Sequence, residues 1–255
     1  TPTTLDADKI DRLLTAIETR FDMGTVIEFT VEAGRADSIT KEKLEVLKKH
    51  KVTRISINPQ TMKQETLDII GRRASVEQVL EAYKLARSLG FDNINMDTIL
   101  GLPGEDENDV KNTMDTIREL NPDSLTVHSL AIKRASALSK WIEEHGRNEF
   151  INTDETMRYS FETAEKMGLV PYYLYRQKNM AGNFENVGFA GEGKLGIYNI
   201  LIMEEVQTIV ACGAGTITKR VYEDGLIKRC ENVKEVPMYC EKIEEMLDRK
   251  RELFS

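Results

Sequence analysis

Short apolar runs that read as strands alternate along this chain with amphipathic helical patterns, at strand-to-strand intervals of roughly 30–45 residues. That alternation constrains the fold more than any other feature. The strand-like runs are Val26-Ile27-Glu28-Phe29-Thr30-Val31, Thr53-Arg54-Ile55-Ser56-Ile57, a third within Asn93 to Leu102, a fourth from Ser124 to Ile132, a fifth at Tyr172 to Tyr175, and a more ambiguous sixth at Gln207 to Cys212. Helical patterns occupy Asp6–Phe21, Thr40–His50, Lys63–Ile70, Val76–Leu89, Asp106–Leu120 and Asp154–Met167. Strands joined by helices make right-handed crossovers, which implies an α/β protein with a parallel sheet, open or curled toward a barrel.

Local signals agree with these boundaries. Ser75-x-x-Gln78 and Thr61-x-x-Gln64 have the form of capping boxes, and Gly90 and Gly168 stand where a left-handed stop residue is expected. From about Ile200 the pattern loosens into a Gly-rich turn, a hairpin at Glu223-Asp224-Gly225 and a charged helix near Val236–Leu253. We therefore expect a barrel over residues 1–199, with a C-terminal α/β appendage over 200–255 that packs on the barrel or closes it.

A net charge of -8 disfavours a broad grip on nucleic-acid phosphates or anionic lipid. The sequence has no apolar run long enough for a membrane helix and no signal-like start, so a cytoplasmic location is expected. Cys212, Cys230 and Cys240 lie far apart without the spacing of a zinc or iron–sulfur site, which makes them ordinary thiols. Thr1-Pro2-Thr3-Thr4-Leu5 reads as the middle of a loop, and an upstream piece is expected.

In a parallel α/β architecture, ligands bind at the carboxyl ends of the strands. The polar residues there are Glu32, the Asn58-Pro59-Gln60 segment, Asp97 and His128-Ser129. Each alone fits a structural or solvated role. Together they make a ring of acceptors and donors suited to ribose hydroxyls and an ammonium, and Arg72 adds a fork for a carboxylate. His128 alone reads more readily as a satisfied core histidine, and His50 and His145 as solvated. Tyr172, Tyr173, Tyr175 and Arg176 fit either strand packing or contact with a carboxylate-bearing ligand.

Thr1-Pro2-Thr3 resembles the tail of the Gly-Gly-Thr-Pro loop of radical-SAM enzymes related to oxygen-independent coproporphyrinogen oxidase. Further strings follow in order: Glu28-Phe29-Thr30-Val31-Glu32-Ala33, Arg54 to Gln60, Gly71-Arg72-Arg73, Asn95-Met96-Asp97 leading to Gly101-Leu102-Pro103-Gly104, and Asn121-Pro122-Asp123. Ile57 to Met62, Asn179-Met180-Ala181-Gly182-Asn183 and Cys212-Gly213-Ala214-Gly215 resemble the HemZ-type branch of that family in particular.

The resemblance implies a partial (β/α)-barrel of the radical-SAM type, its first strand or strands missing here. S-adenosylmethionine would lie across its mouth, bound to a [4Fe–4S] cluster. It places Thr3 and Glu32 near the methionyl amino end, Gln60 and Asp97 at the ribose, Arg72 at the methionyl carboxylate, and Ala131 and Ile217 by the adenine. The implied reaction is oxidative decarboxylation of coproporphyrinogen III propionates to vinyl groups in haem synthesis, initiated by a 5′-deoxyadenosyl radical. The partners are then a tetrapyrrole substrate and an electron donor of unknown identity. The family's C-x-x-x-C-x-x-C ligands would precede Thr1, so this polypeptide by itself is expected to hold no metal and to be inactive. Ala36 and Ala74 depart from the proline and the polar residue or histidine that the resemblance leads one to expect. A haem-binding carrier on the same barrel is the alternative reading. A SAM-independent barrel enzyme such as an aldolase lacks a strand-end lysine to support it.

Overall fold

The computed structural model describes residues 1–131, 138, 143–144, 152–176 and 184–255. Ile132, His145 and the Asn179 to Asn183 string lie outside the described residues. Two compact units divide the chain, residues 1–196 and 197–255.

In the first unit a six-stranded sheet comprises β1 (Thr30–Gly34), β2 (Arg54–Ile57), β3 (Ile94–Leu100), β4 (Ser124–Ser129), β5 (Val170–Tyr175) and β6 (Asn186–Ala190), in the order β1-β2-β3-β4-β6-β5. Strands β1 to β4 are parallel neighbours. Strand β6 runs antiparallel between β4 and β5. The expected wholly parallel sheet is thereby corrected to a mixed one. The expected strand at Gln207–Cys212 is a single bridge from Ile209 to Lys219. The first strand also begins later than its apolar run: Asp22 caps a short turn at Met23–Thr25, and pairing with β2 starts at Thr30.

Among the described residues six helices accompany this sheet: α1 (Ala7–Glu18), α2 (Lys41–Lys49), α3 (Gln64–Ile69), α4 (Val76–Ser88), α5 (Glu107–Leu120) and α6 (Asp154–Lys166). Their apolar stripes supply Leu14, Leu44, Leu47, Val79, Ala82, Met114, Ile117 and Ala164 to one core with Ile55, Ile57, Ile94, Met96, Leu125, Val127 and Phe189 of the strands. Ala36 and Ala74, the two departures from the family pattern, are buried against this core.

Ser75 and Gln78 form the expected capping box of α4. Thr61 does not cap α3. Its hydroxyl is drawn inward, donating to the buried carboxyl of Glu105 at 2.5 Å, while Thr113 of α5 donates from nearby or accepts at 3.3 Å and also receives the Met62 N–H. The turn after β2 is thus fastened to the loop after β3. Burial pushes the Glu105 carboxyl above its ordinary range, more strongly than the Thr61 hydrogen bond lowers it.

The expectation of a solvated His50 is overturned. His50 ends α2, and its buried ring sits 2.9 Å from both Asp11 and Glu18 of α1, which ties the two helices together. Asn121 ends α5 in a left-handed conformation, and the Asn121-Pro122-Asp123 turn acquires a purpose. Arg87 of α4 donates to Asp123, to the Asn121 and Phe91 carbonyls and to Tyr83 Oη, and Asp123 also accepts the first N–H of β3.

The second unit contains α7 (Ile197–Met203), an antiparallel hairpin of β7 (Ile217–Val221) and β8 (Ile227–Glu231), α8 (Val236–Glu241) and α9 (Ile243–Phe254). The hairpin turns where Gly225 was expected to turn it, at a φ of 81°. The expected single final helix is interrupted at Lys242. Among the described residues no helix is long and apolar enough to cross a membrane.

Two stability outcomes are expected. Arg87→Ala removes a half-buried hub of donors and should lower the unfolding free energy by about 2 kcal/mol, seen as a lower urea midpoint with an unchanged m-value. Glu105 has a folded pKa raised above its unfolded value, so its contribution is full at low pH and is lost as pH rises through the raised value. Glu105→Gln should therefore be as stable as the parent or more so at neutral pH, and should flatten the stability profile above the ordinary carboxylate range in a pH series of melts.

Candidate functional site

Side chains alternate between the two faces of a strand. On β2 to β4 and β6 one set, including Ile55, Ile57, Ile94, Met96, Leu125, Val127, Val187 and Phe189, belongs to the helix-covered core. The opposite set is Thr30, Glu32 and Gly34 of β1, Arg54 and Ser56 of β2, Asn95, Asp97 and Ile99 of β3, Ser124, Thr126 and His128 of β4, and Asn186, Gly188 and Ala190 of β6, polar but for the glycines, Ile99 and Ala190. The second face of the sheet is a polar wall.

The wall is wired together. Arg54, 3 % exposed, donates from Nη2 to Ser124 Oγ at 3.1 Å, and its Nη1 lies 4.0 Å from Glu32. Ser124 donates to Asn95 Oδ1 at 3.1 Å, and Asn95 Nδ2 donates to Asp97 Oδ1 at 2.7 Å. The other oxygen of Asp97 lies 3.7 Å from His128 Nε2, and His128 Nδ1 is 3.3 Å from Tyr175 Oη. Burial raises the Asp97 carboxyl, but hydrogen bonding and charge from His128, with bonds from Asn95 and Thr126, outweigh it and hold the group below the ordinary carboxylate range. Asp97 is an ionised acceptor. His128 is thus a wall residue paired to it and no member of the apolar core.

At the carboxyl ends of β2 and β3 the chain makes an unusual turn. Gln60 is buried at a φ of 68°, a left-handed conformation that costs a non-glycine residue of order 1 kcal/mol. It is held there by its N–H to the Asp97 carbonyl, by its own carbonyl receiving the Ile99 N–H, and by the Thr98 hydroxyl. Gln60 and Asp97 are therefore locked side by side. A recess at the ends of β1 and β2 is lined by Arg35, Asp37, Asn58, Pro59, Arg72 and Arg73. Asn58 Oδ1 is buried there without a donor. Arg35 is occupied by Asp37 at 2.6 Å. Among the described residues Arg72 has no side-chain hydrogen-bond or ion-pair partner, and burial followed by the neighbouring Arg35 charge penalises its cation.

Of the residues singled out from the sequence, Glu32, Gln60, Arg72 and Asp97 all stand on the wall or at its strand ends. Glu32 is largely exposed. Thr3 is buried, its hydroxyl engaged by the Ala33 carbonyl at 3.0 Å and Ser38 Oγ at 2.7 Å, so it fastens the opening turn to the end of β1. Ala131 is half-buried just beyond β4. Ile217 lies on β7 in the second unit, where it is 46 % exposed. Arg176 is paired with Glu185 at 2.6 Å. Reading only strand ends overlooked Arg54, Asn95, Ser124 and Thr126, although the alternation of Arg and Ser with Ile in Arg54-Ile55-Ser56-Ile57 carries the signal of a polar face.

S-adenosylmethionine suits these groups chemically. An unpaired guanidinium meets a carboxylate, an orphaned amide oxygen and an ionised carboxylate meet hydroxyl or ammonium donors, and the strained Gln60 turn sits between them. An iron–sulfur cluster does not fit. Cys212, Cys230 and Cys240 are all in the second unit, two exposed and one buried, and no group of three ligand side chains assembles among the described residues.

The pattern of the radical SAM superfamily matches residues 1–117. The oxygen-independent coproporphyrinogen-III oxidase-like protein HemZ of Bacillus subtilis (strain 168) is 45 % identical over 98 % of this chain, and the chain spans 50 % of that relative. Heme chaperone HemW of Lactococcus lactis subsp. lactis (strain IL1403) is 36 % identical over 52 % of the chain, equal to 35 % of its own length. Among solved structures, coproporphyrinogen III oxidase (HemN) from Escherichia coli superposes with a TM-score of 0.72 over 96 % of this chain and 55 % of its own, at 19 % identity. The mixed sheet with its helical cover is thus the partial barrel of that enzyme, and this chain corresponds to about half of such proteins. Sequence and fold together make this chain a relative of the radical-SAM proteins.

Proposed function

We propose that this chain is the cofactor-holding part of an oxidative decarboxylase that converts propionate side chains of coproporphyrinogen III to vinyl groups. The 45 % identity to a coproporphyrinogen-oxidase-like protein along 98 % of the chain carries this reading. Arg72, Glu32, Gln60 and Asp97 would hold S-adenosylmethionine, which when bound would supply the chemistry of hydrogen-atom abstraction from a substrate carbon.

The chain's own residues bind and orient. Arg72 offers its free fork to the methionyl carboxylate, and Glu32 accepts from the methionyl ammonium. Asp97, kept ionised by His128, accepts from ribose hydroxyls beside Gln60, whose backbone is fixed to that of Asp97. Thr3 supports the rim by anchoring the first turn, and Ala131 gives the adenine an apolar contact. The location is cytoplasmic, and the substrate is a tetrapyrrole.

In the full-length protein, reconstituted anaerobically with iron and sulfide and reduced, we expect cleavage of S-adenosylmethionine and release of CO2 from coproporphyrinogen III. Absence of both would refute the proposal. Tight haem binding without CO2 release would favour the carrier reading, which the 36 % identity to a heme chaperone supports.

Arg72→Ala should weaken S-adenosylhomocysteine about tenfold or more by calorimetry, since a charge-assisted pair is lost. The same variant should leave 5′-methylthioadenosine, which has no carboxylate, unaffected. Equal losses for the two ligands would remove Arg72 from this role.

A further inference from the structure

We propose that Tyr173 and Tyr175 are positioning residues for Asp97, acting on it across an intervening strand through Thr126 and His128. The inference rests on the reading of Asp97 as the ribose acceptor.

Strand β5 does not neighbour β4. Strand β6 lies between them, so a β5 side chain that touches β4 must cross two interstrand spacings, about 10 Å. Both inner tyrosines make that crossing. Tyr173 Oη lies 3.5 Å from Thr126 Oγ1, and Tyr175 Oη lies 3.3 Å from His128 Nδ1. Their rings are nearly parallel, at 4° and 6.2 Å, so they lean over β6 in the same direction.

The crossing is built into β6. Gly188 faces Tyr173 in the register, and a Cβ there would stand 1.8 Å from Tyr173 Cε1 and 2.4 Å from Cδ1. Gly188 has no left-handed φ to explain it. Its lack of a side chain is what lets the ring lie across the strand.

Burial raises the Tyr173 phenol far above its ordinary value, so it remains a donor. Its hydroxyl lies within reach of Thr126, which is the direct register partner of Asp97 on β4 and helps to hold that carboxyl low. His128 turns Nε2 toward Asp97 and Nδ1 toward the Tyr175 phenol, so its ring is held between the two. Two relays therefore converge on one carboxylate, and Asn95 clamps its other side. Mere packing of two tyrosines would need neither hydroxyl.

The experiment uses the full-length protein with Tyr173→Phe, Tyr175→Phe, His128→Gln and Asp97→Asn variants, each checked for an unchanged melting profile. Calorimetry compares S-adenosylhomocysteine with its 2′,3′-dideoxyribose analogue. We expect each Phe variant and His128→Gln to weaken S-adenosylhomocysteine about threefold to tenfold and to reduce discrimination against the analogue.

A pH series adds a readout that packing would not move. Among the described residues the groups around Asp97 are His128 and Thr126 from β4, Asn95 from its own strand, Tyr173 from β5 and Arg72 from the turn after α3, with Tyr175 of β5 against His128. Ribose binding needs the ionised carboxylate and is lost as pH falls through its lowered pKa. Removing His128 should move that acid limb to higher pH. If Asp97→Asn abolishes discrimination while the other variants keep both affinity and acid limb, this inference fails and the ribose reading stands. If Asp97→Asn itself leaves discrimination intact, the ribose reading falls and takes the inference with it. Should one Phe variant unfold, the affinity and acid limb of the other Phe variant decide.

Discussion

Everything at the candidate site depends on one constraint: a sheet whose helix-covered face is entirely committed to the core. The period of two along a strand then delivers every other residue to the opposite face, and in this chain those residues are polar on β1 to β4 except Gly34 and Ile99. A polar face on a parallel sheet is unusual, because such sheets are commonly apolar on both sides. Here it is tolerated because the wall residues satisfy one another, from Arg54 through Ser124 and Asn95 to Asp97 and His128. Breaking one bond leaves two buried groups unsatisfied, which makes the wall a single unit rather than a row of independent ligands.

Arg54 shows what this arrangement costs. A guanidinium 3 % exposed, with an unpaired Nε and a largely exposed carboxylate 4.0 Å away, is poorly compensated. Its charge nonetheless lies at one end of a chain whose other end carries the ionised Asp97. The wall is thus polarised along its hydrogen bonds, with a cation toward the start of β2 and an anion near the ends of the strands. Arg72 places a second, unpaired cation at the mouth beyond that anion. Alternation of sign along a short path is suited to a zwitterionic ligand, which presents ammonium, carboxylate and hydroxyls in sequence.

Much of the fold was legible from periodicity. Strands β2 to β5 and helices α1 to α6 appeared with boundaries close to those observed, because long amphipathic helices and β-branched runs carry strong local signals. What escaped notice did so for identifiable reasons. Strand β6 is five residues long and contains Gly188, so its sequence resembles a loop, and its antiparallel insertion depends on pairing partners distant in the chain. Thr61 has the local form of a cap, but a buried Glu105 forty-four residues on competes for its hydroxyl and wins. His50 looked solvated because the carboxylates that receive it lie on another helix. At the site, Glu32, Gln60 and Asp97 were visible at strand ends and Arg72 in its Gly-Arg-Arg string, whereas Asn95, Ser124 and Thr126 are ordinary strand residues until the register sets them side by side.

Gln60 brings the local and the distant together. No residue other than glycine favours a φ of 68°, and the turn persists because three hydrogen bonds to β3 over-determine it. Two of those bonds involve the backbone of Asp97 and Ile99, so any shift of the Gln60 turn drags β3 at the level of Asp97. Thr61, the next residue, is tied to Glu105 in the loop that leaves the same strand. The strand end is consequently gripped on both sides, by Gln60 before it and Glu105 after it, while its side chain is gripped from β4. A carboxylate held through its backbone from two loops and through its oxygens from its own and the adjacent strand has little freedom left. Pre-organisation of this kind lowers the entropic cost of binding, and it explains why a strained residue is retained at the mouth of the barrel.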